Sequence, residues 1–225
     1  ILSFSYRKTD LSVTVASGTA FVLVLLQGWL GGQVVKSGLQ AGMITIHMVL
    51  AMIILITLLY AAFKATKNIY TVHLSRNQNK SLLWLGFVIL LFTLFQLILG
   101  TQVREEIDVI KNAAIVPPRD VWIEMTSWIY DIHRSFSWLI VLLSGVLMVY
   151  IHSEKISGTV YLTGWVIFSL VIFQMLIGLG MEWLGMPGTL QVLHLVSVAV
   201  LICAEFLLLL LVWFADTKPS HLSDD

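Results

Sequence analysis

The chain has 225 residues, 58% of them hydrophobic and 12% charged, with 13 basic against 13 acidic side chains and a formal net charge of zero. Its mean hydropathy is +0.92. A soluble domain of this size needs far more polar surface, so the composition excludes one, and the balanced charge gives no hint of a nucleic-acid partner. The single cysteine, Cys203, falls inside an apolar run, which excludes a disulfide framework and a cysteine-based metal site.

Six apolar runs are long enough to cross a bilayer as helices, at about 11–32, 41–63, 81–103, 132–152, 159–181 and 191–214. Their unbroken apolarity argues against the alternation of a porin-like barrel. The opening Ile1-Leu-Ser-Phe-Ser-Tyr6 reads as the tail of another helix rather than a signal peptide, so a fragment of a longer protein is expected. The second and third spans are joined by a basic, polar connector, the fourth and fifth by a short turn at 154–158, and a polar tail starts at Thr217.

The connector 104–131 is the long one. Pro117-Pro118 ends any helix begun at Glu105. Beyond it Trp122, Met125 and Ile129 recur at intervals of three and four, which suits a short helix lying at the membrane surface. An aromatic anchoring loop is the alternative, and a lid requires a site opening on that side.

Charge sets the expected orientation. With six spans, Arg7, Lys8, Lys64, Lys67, Arg76, Lys80, Lys155 and Lys218 share one side. On the other, Lys36, Arg104, Lys111, Arg119 and Arg134 are outnumbered by Glu105, Glu106, Asp108, Asp120, Glu124, Asp131 and Glu182. The positive-inside rule makes the first side cytoplasmic. The second, fourth and sixth spans then begin on the outer side, each with a histidine near its start: His47, His133 and His194.

The preceding spans end alike, in Gln27-Gly-Trp-Leu-Gly31, Gln96-Leu-Ile-Leu-Gly100 and Gln174-Met-Leu-Ile-Gly178. Gln27 to His47 and Gln174 to His194 are both 20 residues, so the first hairpin matches the last at an offset of 147. The repeat is parallel and implies two similar bundles about an axis along the membrane normal. If it is complete, the counterpart of His133 lies upstream of Ile1, and two of eight spans precede this chain. The expected architecture is therefore an all-α integral membrane protein with a complete C-terminal four-helix bundle and half of a repeated N-terminal one. Its parts are 1–66, a cytoplasmic connector 67–80, the C-terminal four-helix bundle 81–216 and a cytoplasmic tail 217–225.

A histidine unpaired in hydrocarbon is costly, and two at one depth on facing helices suit a flat macrocycle ligated from both faces. Zinc needs three or four ligands, and the C-terminal bundle offers two histidines at that depth. His133 and His194 are the expected axial pair, with hydrogen bonds between helices as the alternative. Gly100 and Gly178 make room for a porphyrin or for helix packing. Arg134 pairs with a propionate or snorkels to phospholipid. Trp128, Phe136 and Trp138 are expected to wall the pocket. His47 is a ligand of a second site or bonds a neighbouring helix. Glu205, on the same face as His194 and well below it, is structural or a proton relay. His73, His152 and His221 lie elsewhere and are assigned no chemistry.

Together the three Gln-x-x-x-Gly helix ends, the His133-Arg134 pair and the lone histidines 47 and 194 resemble the haem A synthase family. That resemblance covers almost the whole chain, as the family's third to eighth helices. It implies oxidation of a methyl group of haem O to the formyl group of haem A, for cytochrome oxidase, using O2 and electrons from a donor. It implies haem b between His133 and His194, and His47 as one ligand of the substrate haem. The family's other ligand and its glutamate belong to a helix not in this sequence, so the catalytic residue is not assigned. Implied partners are a haem O synthase, cytochrome oxidase assembly factors, a membrane electron donor, the lipid bilayer and further copies of the chain. The implied location is a bacterial inner membrane. A bis-histidine cytochrome b without haem O oxidation is the main alternative, and a colourless transporter or scaffold a third.

Overall fold

A computed structural model describes Tyr6, residues 10–38 and residues 42–218. The expected helix tail at 1–5, the charges of Arg7 and Lys8 and His221 lie outside the described residues. Six helices follow in order: α1 Leu11–Lys36, α2 Met43–Thr66, α3 Arg76–Lys111, α4 Trp128–Ser153, α5 Gly158–Trp183 and α6 Gly188–Trp213. Each is long and apolar enough to cross a membrane, and with the backbone bonds kept inside each helix none is left unpaired to lipid.

Polar residues at the ends fix where the helices start. The Asp10 side chain accepts from Ser12 N ahead of α1. Ser75 and Gln78 form a reciprocal capping box at α3. Ser127 caps α4, and its own backbone N–H donates to Glu106 Oε2 at 2.9 Å. The tight α4–α5 and α5–α6 turns put Lys155 and Met186 at positive φ, each beside a glycine-started helix.

Helices α3 to α6 pack in a ring, α3 on α4, α4 on α5, α5 on α6 and α6 back on α3. Leu82, Ile89, Leu147, Ile151, Val160, Ile167, Leu208 and Leu211 fill its interior and are essentially inaccessible. Helix α2 lies against α3 and α6, and α1 packs on α2. The three helix starts that carry His47, His133 and His194 are at one end, called here the histidine end. At the far end, β1 (His73–Ser75) pairs in parallel with β2 (Asp216–Lys218). The polar tail expected from Thr217 thus begins as a strand edge, with His73 Nδ1 3.7 Å from Asp216 Oδ2.

The main departure from expectation is α3. It runs for 36 residues, about 54 Å at 1.5 Å per residue, against a hydrocarbon core of about 30 Å. Its last two turns continue because Val103, Ile107 and Ile110 share a face, at steps of four and three, and bury it against Trp122 and Met186. An Arg104–Asp108 ion pair at 2.9 Å spans one of those turns. Residues 104–111 are therefore helix, not connector, and the helix stops at Asn112, ahead of Pro117-Pro118.

The expected surface helix around Trp122 is absent among the described residues. Only a 3-10 turn, Arg119–Val121, forms there. Trp122 is 4% exposed, and its indole N–H donates to the Pro117 carbonyl at 3.0 Å. Met125 is exposed, and Ile129 already belongs to α4. Trp122 and Ile129 pack in one cluster while Met125 points outward, and Ser127 starts α4 between Met125 and Ile129.

Candidate functional site

The three glutamines of the repeated helix ends perform one task. Gln96 Nε2 donates to the backbone carbonyl of His133 at 2.7 Å, and Gln174 Nε2 to that of His194 at 2.9 Å. Gln27 Nε2 does the same to His47 at 3.0 Å. A carbonyl inside a helix keeps a spare lone pair, and an amide from the neighbouring helix uses it. Each bond pins the backbone at a histidine and sets the register of a hairpin. Sequence reasoning found the glutamines as a pattern but not this role. The signal was the constant separation of 20 residues between Gln and His in two hairpins.

The glycines four residues on divide into two kinds. A Cβ on Gly100 would stand 3.1 Å from His133 Cε1, and one on Gly31 would stand 3.1 Å from His47 Cε1. These two glycines make room for an imidazole of the next helix. A Cβ on Gly178 meets no atom within 4 Å, so Gly178 borders open space.

That space is a cavity of about 360 Å³ at the histidine end of the α3–α6 ring. His133, His194, Gly100, Gly178 and Arg134 all line it, so the structure brings five of the six expected site residues together. His47, the sixth, is outside; its neighbours Ile44 and Met48 reach the wall from α2. Thr93, Ile140, Val171 and Leu201 form the floor, two turns below Gly100, His133, Gly178 and His194 on their own helices. Ile123, Tyr130 and Met186 line the mouth, so the long connector contributes to the wall through Ile123. Neither Tyr130 nor Gln191, also at the wall, was singled out from sequence.

Two of the three expected aromatic walls lie elsewhere. Trp138 borders the cavity. Trp128 is 67% exposed, and Phe136 packs edge-on against Phe92 and Phe95, with centroids at 5.4 and 5.2 Å. The reason is helical phase, since Phe136 is turned toward the α3 face that carries Phe92 and Phe95. Arg134 donates from Nη1 to Glu182 Oε1 at 3.1 Å, tying α4 to α5 at the mouth.

Neither ring nitrogen of His133 or His194 has a hydrogen-bond partner among the described residues, and both Nδ1 atoms are buried. His47 differs, because Gln27 Nε2 also lies 3.2 Å from its Nε2. No group of three or more His, Cys, Asp or Glu among the described residues is placed to hold a metal ion. A macrocycle carrying its own four nitrogens needs only two axial ligands, and the unspent imidazoles of His133 and His194 on facing helices fit that requirement. The cavity lies within the size range of small-molecule and cofactor sites.

A family model described as cytochrome oxidase assembly protein, COX15-CtaA, matches residues 1–206. Neither a curated protein nor a solved structure matches the chain.

Proposed function

The chain belongs to the COX15-CtaA family of cytochrome oxidase assembly proteins, and on that premise we propose that it is a haem A synthase. The reaction is oxidation of a methyl group of haem O to the formyl group of haem A, with O2 and electrons from a membrane donor. The observation that supports this reading is the pair of half-buried imidazoles, His133 and His194, with unspent ring nitrogens around one cavity.

In this reading His133 and His194 would hold haem b, and the group would supply one-electron transfer there. The chain's own part is positional. Gln96 and Gln174 fix the backbone of α4 and α6 at each ligand, so the imidazoles approach at a set distance. Ile123, Tyr130 and Met186 line the mouth of the cavity. Arg134, which lines the cavity and is paired with Glu182, would meet an anionic group of the ligand. His47 is assigned as one ligand of the substrate haem, on the α1–α2 hairpin that repeats α5–α6.

The same proposal divides the chain into a haem-binding bundle at 81–216 and a half-bundle at 1–66. It puts both ends on the cytoplasmic side of a bacterial inner membrane and the histidine end outside, from the asymmetry of lysine and arginine. A haem O synthase and oxidase assembly factors are its expected partners.

Pigment extraction and turnover test it. Purified full-length protein supplied with haem O, O2 and a reductant is expected to yield haem A and to retain haem b. Haem b alone, with no conversion of haem O, identifies a bis-histidine cytochrome instead, and colourless protein removes both readings.

A further inference from the structure

Below the cavity floor lies a carboxyl group that the proposed reaction does not use. Glu205 on α6 is 1% exposed. Its Oε1 accepts a hydrogen bond from Thr93 Oγ1 at 2.8 Å, and its Oε2 is buried with no partner. Thr93 lines the cavity, as does Leu201, one turn before Glu205 on the same helix. The residue whose hydroxyl bonds Glu205 is therefore itself part of the cavity wall.

Among the described residues, α3 and α6 set no cation beside it, α5 carries none, and the one lysine within α2, Lys64, pairs with Asp10. Between Lys80 and Arg104, α3 carries no ionisable side chain, and α6 carries only His194, Cys203 and Glu205. An anion without a counter-charge at that depth is far costlier than the neutral acid, which can use its hydroxyl as a donor. A buried acid kept where leucine would pack as well is a functional candidate. Thr93 supplies the connection: a threonine hydroxyl donates one proton and accepts another.

We propose that Glu205 is an internal proton store that exchanges with the cavity through the Thr93 hydroxyl. In the inward direction, a donor in the cavity gives a proton to Thr93 Oγ1 while Thr93 passes its own to Glu205 Oε1. One proton enters the hydroxyl, one leaves it, and the carboxylate becomes the acid. The outward direction reverses both transfers. The route needs no cofactor of particular identity, so it stands or falls apart from haem O oxidation. Thr93 acts as a positioning residue and relay, and Glu205 holds the proton.

Infrared spectroscopy of the purified protein in detergent reads the proton itself. A carboxylic C=O band is expected that shifts on labelling with isotopic glutamate, moves in D2O, and disappears in Glu205→Gln. Thr93→Val is expected to keep the band and slow its deuterium exchange about tenfold, the equivalent of one hydrogen bond to an acid group. Thr93→Ser, which restores the hydroxyl, is expected to restore the rate. The labelled wild-type spectrum serves if Glu205→Gln does not fold. Absence of a glutamate-derived acid band overturns the proposal, and so does exchange in Thr93→Val as fast as in wild type.

Discussion

Replacing Gly100 with alanine puts a methyl group 3.1 Å from His133 Cε1. Carbon atoms prefer about 3.5–4.0 Å, so the ring or the helix must give way by about 0.4 Å or more. Overpacking of this kind costs about 1–3 kcal/mol, while alanine gains about 1 kcal/mol of helix propensity over glycine. The net expectation is destabilisation by about 1 kcal/mol, with His133 displaced. Gly31→Ala meets His47 at the same 3.1 Å and is expected to behave alike. Gly178→Ala meets nothing within 4 Å, so only the propensity gain of about 1 kcal/mol remains in the ligand-free protein. Its methyl group enters the cavity, however, and a macrocycle resting there must move. Thermal unfolding in detergent, with and without bound haem, and the haem-to-protein ratio separate these effects. Gly178→Ala is expected to stabilise the ligand-free protein and lower its haem content. Equal stabilisation by Gly100→Ala and Gly178→Ala refutes the His133 contact. Unchanged haem content in Gly178→Ala refutes placing the ligand against that glycine.

Gln96→Leu removes one bond between helices and Gln174→Leu two, to the His194 carbonyl and Ser197 Oγ, each worth about 0.6–2 kcal/mol in a membrane bundle; detergent unfolding is expected to show the larger loss in Gln174→Leu, and electron paramagnetic resonance a changed axial-ligand signature in both. Arg134→Ala breaks a partly exposed pair with Glu182, so stability should change by no more than about 1 kcal/mol. If Arg134 meets an anionic edge of the ligand, Arg134→Ala shifts the midpoint potential while Glu182→Gln leaves it nearly in place; equal shifts argue against that contact. Trp122→Ala empties the cluster at the mouth, an indole deletion of about 3–5 kcal/mol in a packed core. Hydrogen exchange is expected to rise across 112–127 and stay unchanged in the far-end core around Leu82 and Leu208.

Six helices were readable because hydrocarbon selects long apolar runs, and that selection acts on composition alone. It fails where a helix leaves the membrane. The turns at 104–111 are amphipathic, and Ile107 and Ile110 there carry steps of four and three on from Val103; this periodicity, not apolarity, extends α3 past 103. Trp122 was legible as a membrane aromatic but not as a buried one, since its partners Val103, Ile107, Ile110 and Met186 come from two distant segments. The histidine positions could be read from the repeat, as could their common depth. What Gly100 and Gly178 do could not: the same motif places one against an imidazole and the other against open space. That difference depends on the rotation of each helix pair, which a local pattern does not encode. Glu205 was recognised as inward-facing, but its link to the cavity runs through Thr93, a residue common enough in membrane helices to draw no notice.

The central claim is that His133 and His194 jointly ligate one haem in the α3–α6 cavity. Optical and electron paramagnetic resonance spectra of the purified protein carrying His133→Ala, His194→Ala or His47→Ala, with circular dichroism to verify helix content, test it most directly. Low-spin haem b is expected to vanish in each of the first two variants and to persist in the third. Low-spin haem b retained in both His133→Ala and His194→Ala, with the helices intact, would contradict it.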